Sequence, residues 1–98
     1  MDNKISLGDL VVTRAVDELM QTRPLFKLFV NRSIQRFSQC NWGNRCDRET
    51  QELNKQAMET NTGMIHGIYH DVRQHEPVLW IIHNCDTNIT TVLLPSDY

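Results

Sequence analysis

Apolar residues recur along this chain in two rhythms, helical in the first half and strand-like in the second. Val12, Val16, Leu19 and Met20 are spaced as residues are on one face of an α-helix. The β-branched stretch that begins at Leu10 predicts an extended lead-in, with the helix starting near Thr13 or Arg14. Pro24 suits the first turn of a second helix, where its missing N–H has no intrahelical partner to lose. Phe26, Phe29, Val30, Ile34 and Phe37 then fall on one face, which is the strongest structural signal in the sequence. Asn41-Trp42-Gly43-Asn44 supplies the turn conformations that end this helix. Asp47 caps a third helix, DRETQELNKQAMET, with Glu49 in its first turn near the positive end of the dipole. Its apolar residues are Leu53, Ala57 and Met58, so a narrow buried stripe is expected on an otherwise wet helix, with Gly63 as its stop.

The period then shortens. Met64 to His70, MIHGIYH, reads as a strand with Ile65 and Tyr69 on one face and Met64 and Ile68 on the other. Glu76 and Pro77 close a polar loop. Residues 78–82 and 89–94 are rich in β-branched residues and are separated by HNCDTN, the pattern of a β-hairpin. Trp80 reads as core, Pro95 ends the last strand because it cannot donate to a ladder, and Tyr98 either packs back on the sheet or frays. Helices first and strands later predict an α+β fold, with N-terminal helices packed on a C-terminal three-stranded antiparallel sheet whose other face stays partly open.

Composition narrows the possibilities. A chain of 98 residues, 40% of them hydrophobic, is expected to form one domain spanning residues 1–98. Ten Lys and Arg against 12 Asp and Glu leave a formal charge of −2, without the basic excess of a phosphate-backbone binder. The cysteines are odd in number, and the N-terminus lacks the basic start of a secretory signal, so a reduced, cytoplasmic setting is expected. No apolar run approaches the roughly 18–20 residues that span a bilayer. A soluble protein with no membrane partner is expected.

Several side chains are candidates for chemistry. Cys40, Cys46, His83 and Cys85 carry the donors zinc prefers, but Cys40 and Cys46 are spaced more widely than zinc knuckles allow. They read better as small buried hydrophobes, and no cofactor is expected. His66 and His70 fall on the same strand face and, with Asp71 and His75 nearby, form a candidate acid–base pair or weak metal site. No nucleophile or oxyanion donor can be assigned beside them, so two polar residues on a solvated face is the favoured reading. The phosphate-loop, Gly-x-Ser-x-Gly and His-Glu-x-x-His patterns are missing from the sequence. No catalytic residue is assigned, and the chain reads as a binding protein rather than an enzyme. Arg32 and Arg36 lie one turn apart on the wet side of the aromatic helix, with Arg45 and Arg48 just beyond it. They form a candidate surface for phosphates or an acidic partner, weakened by Glu49 and Glu52. Trp42 is either a lid on the core or an anchor for a partner, the lid being favoured.

Three stretches carry a resemblance: VVTRAV, CNWGNRCDRETQELNKQAM and WIIHNCDTNITTVLLPSDY. Together they resemble a family of small, mostly uncharacterised proteins of plasmids, phages and integrative elements. Its pattern falls here on Thr13, Arg14 and Val16; on Trp42, Gly43 and Asn54; and on Trp80, Asp86, Thr90, Thr91, Pro95 and Tyr98. The chain departs from it where an Asp-Arg pair is usual in the hairpin turn, because Thr87 follows Asp86. No enzymatic activity comes with the resemblance. It implies a mobile-element context, in which small proteins commonly act by binding. The expectation is a stoichiometric inhibitor of a host defence protein or ribonucleoprotein complex, in the manner of an anti-CRISPR protein acting on a Cas effector. The candidate contact residues are Trp42, Arg45, Arg48, Glu49, Glu52, Lys55, His66 and His70. The alternative is a nucleic-acid-associated regulator or replication accessory using Arg32, Arg36, Arg45 and Arg48. A third is a toxin-like nuclease using the histidines. An exposed edge strand also leaves a homodimer open.

Overall fold

Thr13 marks the point where strand gives way to helix. In the computed structural model, which describes residues 5–43 and 46–98, Thr13 has extended backbone (φ −69°, ψ 161°) and its Oγ1 accepts the Val16 N–H at the start of α1 (Arg14–Thr22). Pro24 opens α2 (Pro24–Ser38) as expected. Phe26, Val30 and Phe37 are fully buried on its inner face, with Phe29 and Ile34 packed beside them. Asp47 caps α3 (Arg48–Thr60), its Oδ1 accepting the Thr50 N–H at 2.7 Å.

Two expectations about α3 are corrected. Leu53 is 55% exposed, whereas Asn54 is 1% exposed and Ala57 is buried, so the inner face is turned by one residue from the apolar stripe. The reason is a pair of hydrogen bonds from Asn54 to the sheet, which hydrophobicity does not register. The helix also ends at Asn61, in left-handed conformation (φ 53°), before Gly63 is reached.

The sheet contains β1 (Asp9–Val12), β2 (Met64–Tyr69), β3 (Leu79–Asn84) and β4 (Ile89–Leu93) in the order β1-β4-β3-β2. The fold is α+β, but the expected three-stranded antiparallel sheet is a four-stranded mixed one. The extended lead-in becomes β1 and pairs in parallel with β4, Asp9 opposite Ile89 and Val12 opposite Val92. Local pattern predicts that this segment is extended but cannot reveal a partner at the far end of the chain. The hairpin is observed, with Asn88 in left-handed conformation (φ 57°) and donating its N–H to the Asn84 carbonyl at 2.8 Å.

Alternation divides the sheet into two faces. Ile65, Tyr69, Leu79, Ile81 and Val92 turn toward the helices and join Val16, Phe26, Val30, Phe37 and Ala57 in the core. Gly67 stands across from Phe37, where a Cβ would lie 2.9 Å from the ring edge. Trp80, expected in the core, has the opposite parity from Leu79 and Ile81 and is partly exposed on the other face. Pro95 ends β4 and starts a single 3₁₀ turn (Pro95–Asp97). Among the described residues, no helix is long and apolar enough to cross a membrane.

Candidate functional site

After α2 the chain reverses through Cys40, which is left-handed (φ 63°), and lays Trp42 against the helix it has just left. The Trp42 ring meets Phe37 edge-on at 5.3 Å between centroids, and its carbonyl accepts the Ile68 N–H at 2.9 Å. Gly43 (φ 102°) follows so closely over β2 that a Cβ there would lie 1.7 Å from the Ile68 oxygen. Trp42 is therefore built in as a lid, with one side left half-exposed. That side borders a groove of about 450 Å³ between residues 40–43 and α3, lined also by Gln51, Glu52, Lys55 and Met58. Of the expected contact residues, Trp42, Glu52 and Lys55 are brought together here. Arg48 and Glu49 are exposed in the first turn of α3. Arg45 lies outside the described residues.

His66 and His70 do not share a strand face as expected. β2 ends at Tyr69, so His70 follows the loop and lines a cleft of about 150 Å³ beside α2, together with Arg32, Arg36, Asp71 and Arg73. His66 stays on the outer sheet face, 5.6 Å from the Trp80 ring and 6.4 Å from that of Tyr98. Tyr98 itself meets Trp80 at 5.6 Å, so the end of the chain does pack back on the sheet. The His66 Nε2 is buried without a hydrogen-bond partner, and burial pushes the ring's pKa below its ordinary value, which keeps it neutral near pH 7.

Arg36 is committed to the fold. Its guanidinium sits 5.3 Å from the Tyr69 ring centroid and donates to Asn41 Oδ1 at 3.4 Å. The Tyr69 hydroxyl donates to the Asn41 carbonyl at 2.7 Å, and burial pushes this phenol well above its usual range. Arg32 is exposed at the cleft, whereas Arg48 begins a different helix and does not line it. The expected arginine surface is thus divided.

The thiol and imidazole candidates are also dispersed. Cys40 Sγ lies 3.9 Å from Met58 Sδ, Cys46 is buried, and Cys85 Sγ points to the Ala57 carbonyl at 4.0 Å. Burial pushes all three thiols up, away from the thiolate that binds metal. Thr90 Oγ1 donates its hydrogen to the Leu7 carbonyl at 2.5 Å, so His83 Nδ1, 2.8 Å from the same oxygen, is the donor in that contact. Among the described residues, no three His, Cys, Asp or Glu side chains are grouped to hold a metal ion.

Four of the residues that carry the resemblance, Thr13, Gly43, Asn54 and Thr90, hold elements of the fold together. Asn54 Nδ2 donates to the His66 carbonyl at 2.7 Å and its Oδ1 accepts the His66 N–H at 2.9 Å, so one side chain occupies the outer backbone of β2. Thr13 caps α1 and donates to Asp97 Oδ2 at 2.8 Å, while Asp97 also accepts the Leu94 N–H at 3.0 Å. Thr90 joins β4 to Leu7, and Gly43 allows the turn to reach β2. An Asn in the middle of α3 was the available sequence signal for the first of these contacts, and residue type alone did not reveal it. Compared with protein families, curated proteins and solved structures, the chain shows no match.

Proposed function

We propose that this chain is an accessory protein of a mobile genetic element that acts by stoichiometric binding, as an inhibitor of a bacterial defence complex such as a Cas effector. The observation that supports the reading best is the groove between Trp42 and α3. Its floor is apolar and held in place by core contacts, its rim carries Glu52 and Lys55, and the helix behind it is fixed to the sheet by Asn54. A rigid aromatic anchor with charged neighbours is the composition in which binding energy concentrates. The resemblance to plasmid, phage and integrative-element proteins supplies the class of partner.

The test is retention of purified Cas effectors by the immobilised chain after nuclease treatment, repeated with Glu52→Arg/Lys55→Glu. One effector retained in near-equal amount, and lost with the double variant at unchanged Tm, is the expected result. Equal retention of every effector by parent and variant, or retention of none, refutes the proposal.

A second reading rests on the α2 cleft, which Arg32, Arg36 and Arg73 line together with His70 and His75. It is a nucleic-acid-associated regulator or replication accessory. Salt-sensitive retardation of DNA or RNA, weakened by Arg32→Ala and Arg73→Ala, distinguishes it.

A further inference from the structure

β1 and β2 form the two margins of the sheet, and the fold treats them differently. On β2 three of the outward groups are taken up, the N–H and C=O of His66 by Asn54 and the N–H of Ile68 by the Trp42 carbonyl. On β1 the N–H groups of Asp9 and Thr13 turn inward to the carbonyls of Asn88 and Val92. The two-residue repeat of a strand therefore turns the N–H and C=O of Leu10 and Val12 outward. No backbone hydrogen bond among the described residues takes these groups up. The side chains around them are apolar and uncovered, with Leu10 44%, Val11 45% and Val12 37% exposed. Edges of this kind are usually guarded by lysine, proline or a bulge, and β1 has none of these.

We propose that β1 pairs antiparallel with β1 of a second copy across a two-fold axis, joining the two sheets edge to edge. The occupant is argued from self-complementarity. Pairing centred on Val11 sets Leu10 against Val12 of the partner subunit, and the two exchange both N–H···O bonds because both turn outward. Val11 faces its own symmetry mate at the close, non-hydrogen-bonded position, where apolar side chains pack best. Asp9, the only charged residue of the strand, falls opposite Thr13 of the partner subunit and so avoids the other carboxylate. The arrangement is isologous and closed, so it ends at two copies. Strands this short cover less than the ~1,600 Å² of a standard interface, which makes the dimer weak and concentration-dependent.

Sedimentation equilibrium of the full chain from about 1 µM to about 1 mM covers the relevant affinities. The mass is expected to rise from 11.5 kDa toward twice that value. Leu10→Pro removes an outward donor without touching the β1–β4 ladder, and an extended Asp9 tolerates a following proline. It is expected to weaken the dimer at least tenfold at unchanged Tm. Amide exchange gives a readout that needs no variant. Leu10 and Val12 should gain protection as concentration rises, while Val11, bonded to β4, is protected throughout. A monomer across the whole range overturns the proposal. So does a dimer in which Leu10 and Val12 exchange fast, because its interface then lies elsewhere.

Discussion

Replacing Asn54 by Ala removes the side chain that both donates to and accepts from the backbone of His66. The site is 1% exposed, so the strand's N–H and C=O are left without their partners in a buried place. Each such group costs ~1–3 kcal/mol. Alanine offsets this by ~0.6 kcal/mol through its better helix propensity, and a water admitted to the vacated space moves the total toward the lower end. The expected loss is about 2–3 kcal/mol, which for a domain of this size lowers Tm by roughly 10–20 °C. Urea titration checks it, with a lower midpoint at an unchanged m-value. Asn54→Asp separates hydrogen bonding from packing. The carboxylate still accepts the His66 N–H but meets the His66 carbonyl without a proton to donate, and burial raises its folded pKa above the unfolded one. Its destabilisation is then full above that raised value and relieved as pH falls through it, because the protonated acid regains the donor. An Asn54→Ala protein within about 0.5 kcal/mol of the parent would show that the two hydrogen bonds do not hold α3 to the sheet.

Two further outcomes follow from glycine geometry and from buried histidines. Gly43→Ala places a Cβ 1.7 Å from the Ile68 oxygen, whereas Gly63→Ala, also at positive φ, has no atom within 4 Å. The first should cost more than about 3 kcal/mol and expose Trp42, seen as a red-shifted fluorescence, and the second only ~1–2 kcal/mol; equal losses would refute the close approach. His66 and His83 both have pKa values lowered by burial. Well above the unfolded value of about 6.5 they are neutral in both states and add no slope; as pH falls through it the unfolded chain binds more protons, so stability falls until the depressed folded values are passed. Urea midpoints at about pH 7.5 and about pH 5.5 should differ less in His66→Phe/His83→Gln than in the parent, and an identical difference would exclude these groups as the cause.

Much of the fold is legible in the sequence where a local signal is unambiguous. The one-face set Phe26, Phe29, Val30, Ile34 and Phe37 of α2, the start of α1 near Thr13, the Asp47 cap and the β3–β4 hairpin all follow from spacing and turn chemistry. The failures have physical causes. In Leu79-Trp80-Ile81-Ile82 every residue is apolar, so alternation carries no sign of which face is buried, and Trp80 can be placed only when Tyr98 is seen against it. Asn54 is buried for its two-sided hydrogen bonding, a property that an apolar-stripe argument assigns to the surface. The parallel partner of β1 is a long-range choice with no local code. Of the candidate site, Trp42, Glu52 and Lys55 share a groove because the 40–43 turn folds onto α3, while His66 and His70 part because β2 stops between them.

The contact of Thr13 with Asp97, together with the pairing of β1 and β4, also sets an order of assembly. On a growing chain, α1 and α2 are synthesised before residues 89–97, with Phe26, Val30 and Phe37 lacking the sheet they pack against until β4 follows. Until then β1 has nothing to pair with, and the cap of α1 lacks its distant acceptor. Closure of so long a loop must precede its reward, which slows folding and prolongs the exposure of apolar surface. The chain is therefore most vulnerable to chaperones, proteases and self-association while it is being synthesised, and truncation before β4 should leave helices that form without a partner to cover them.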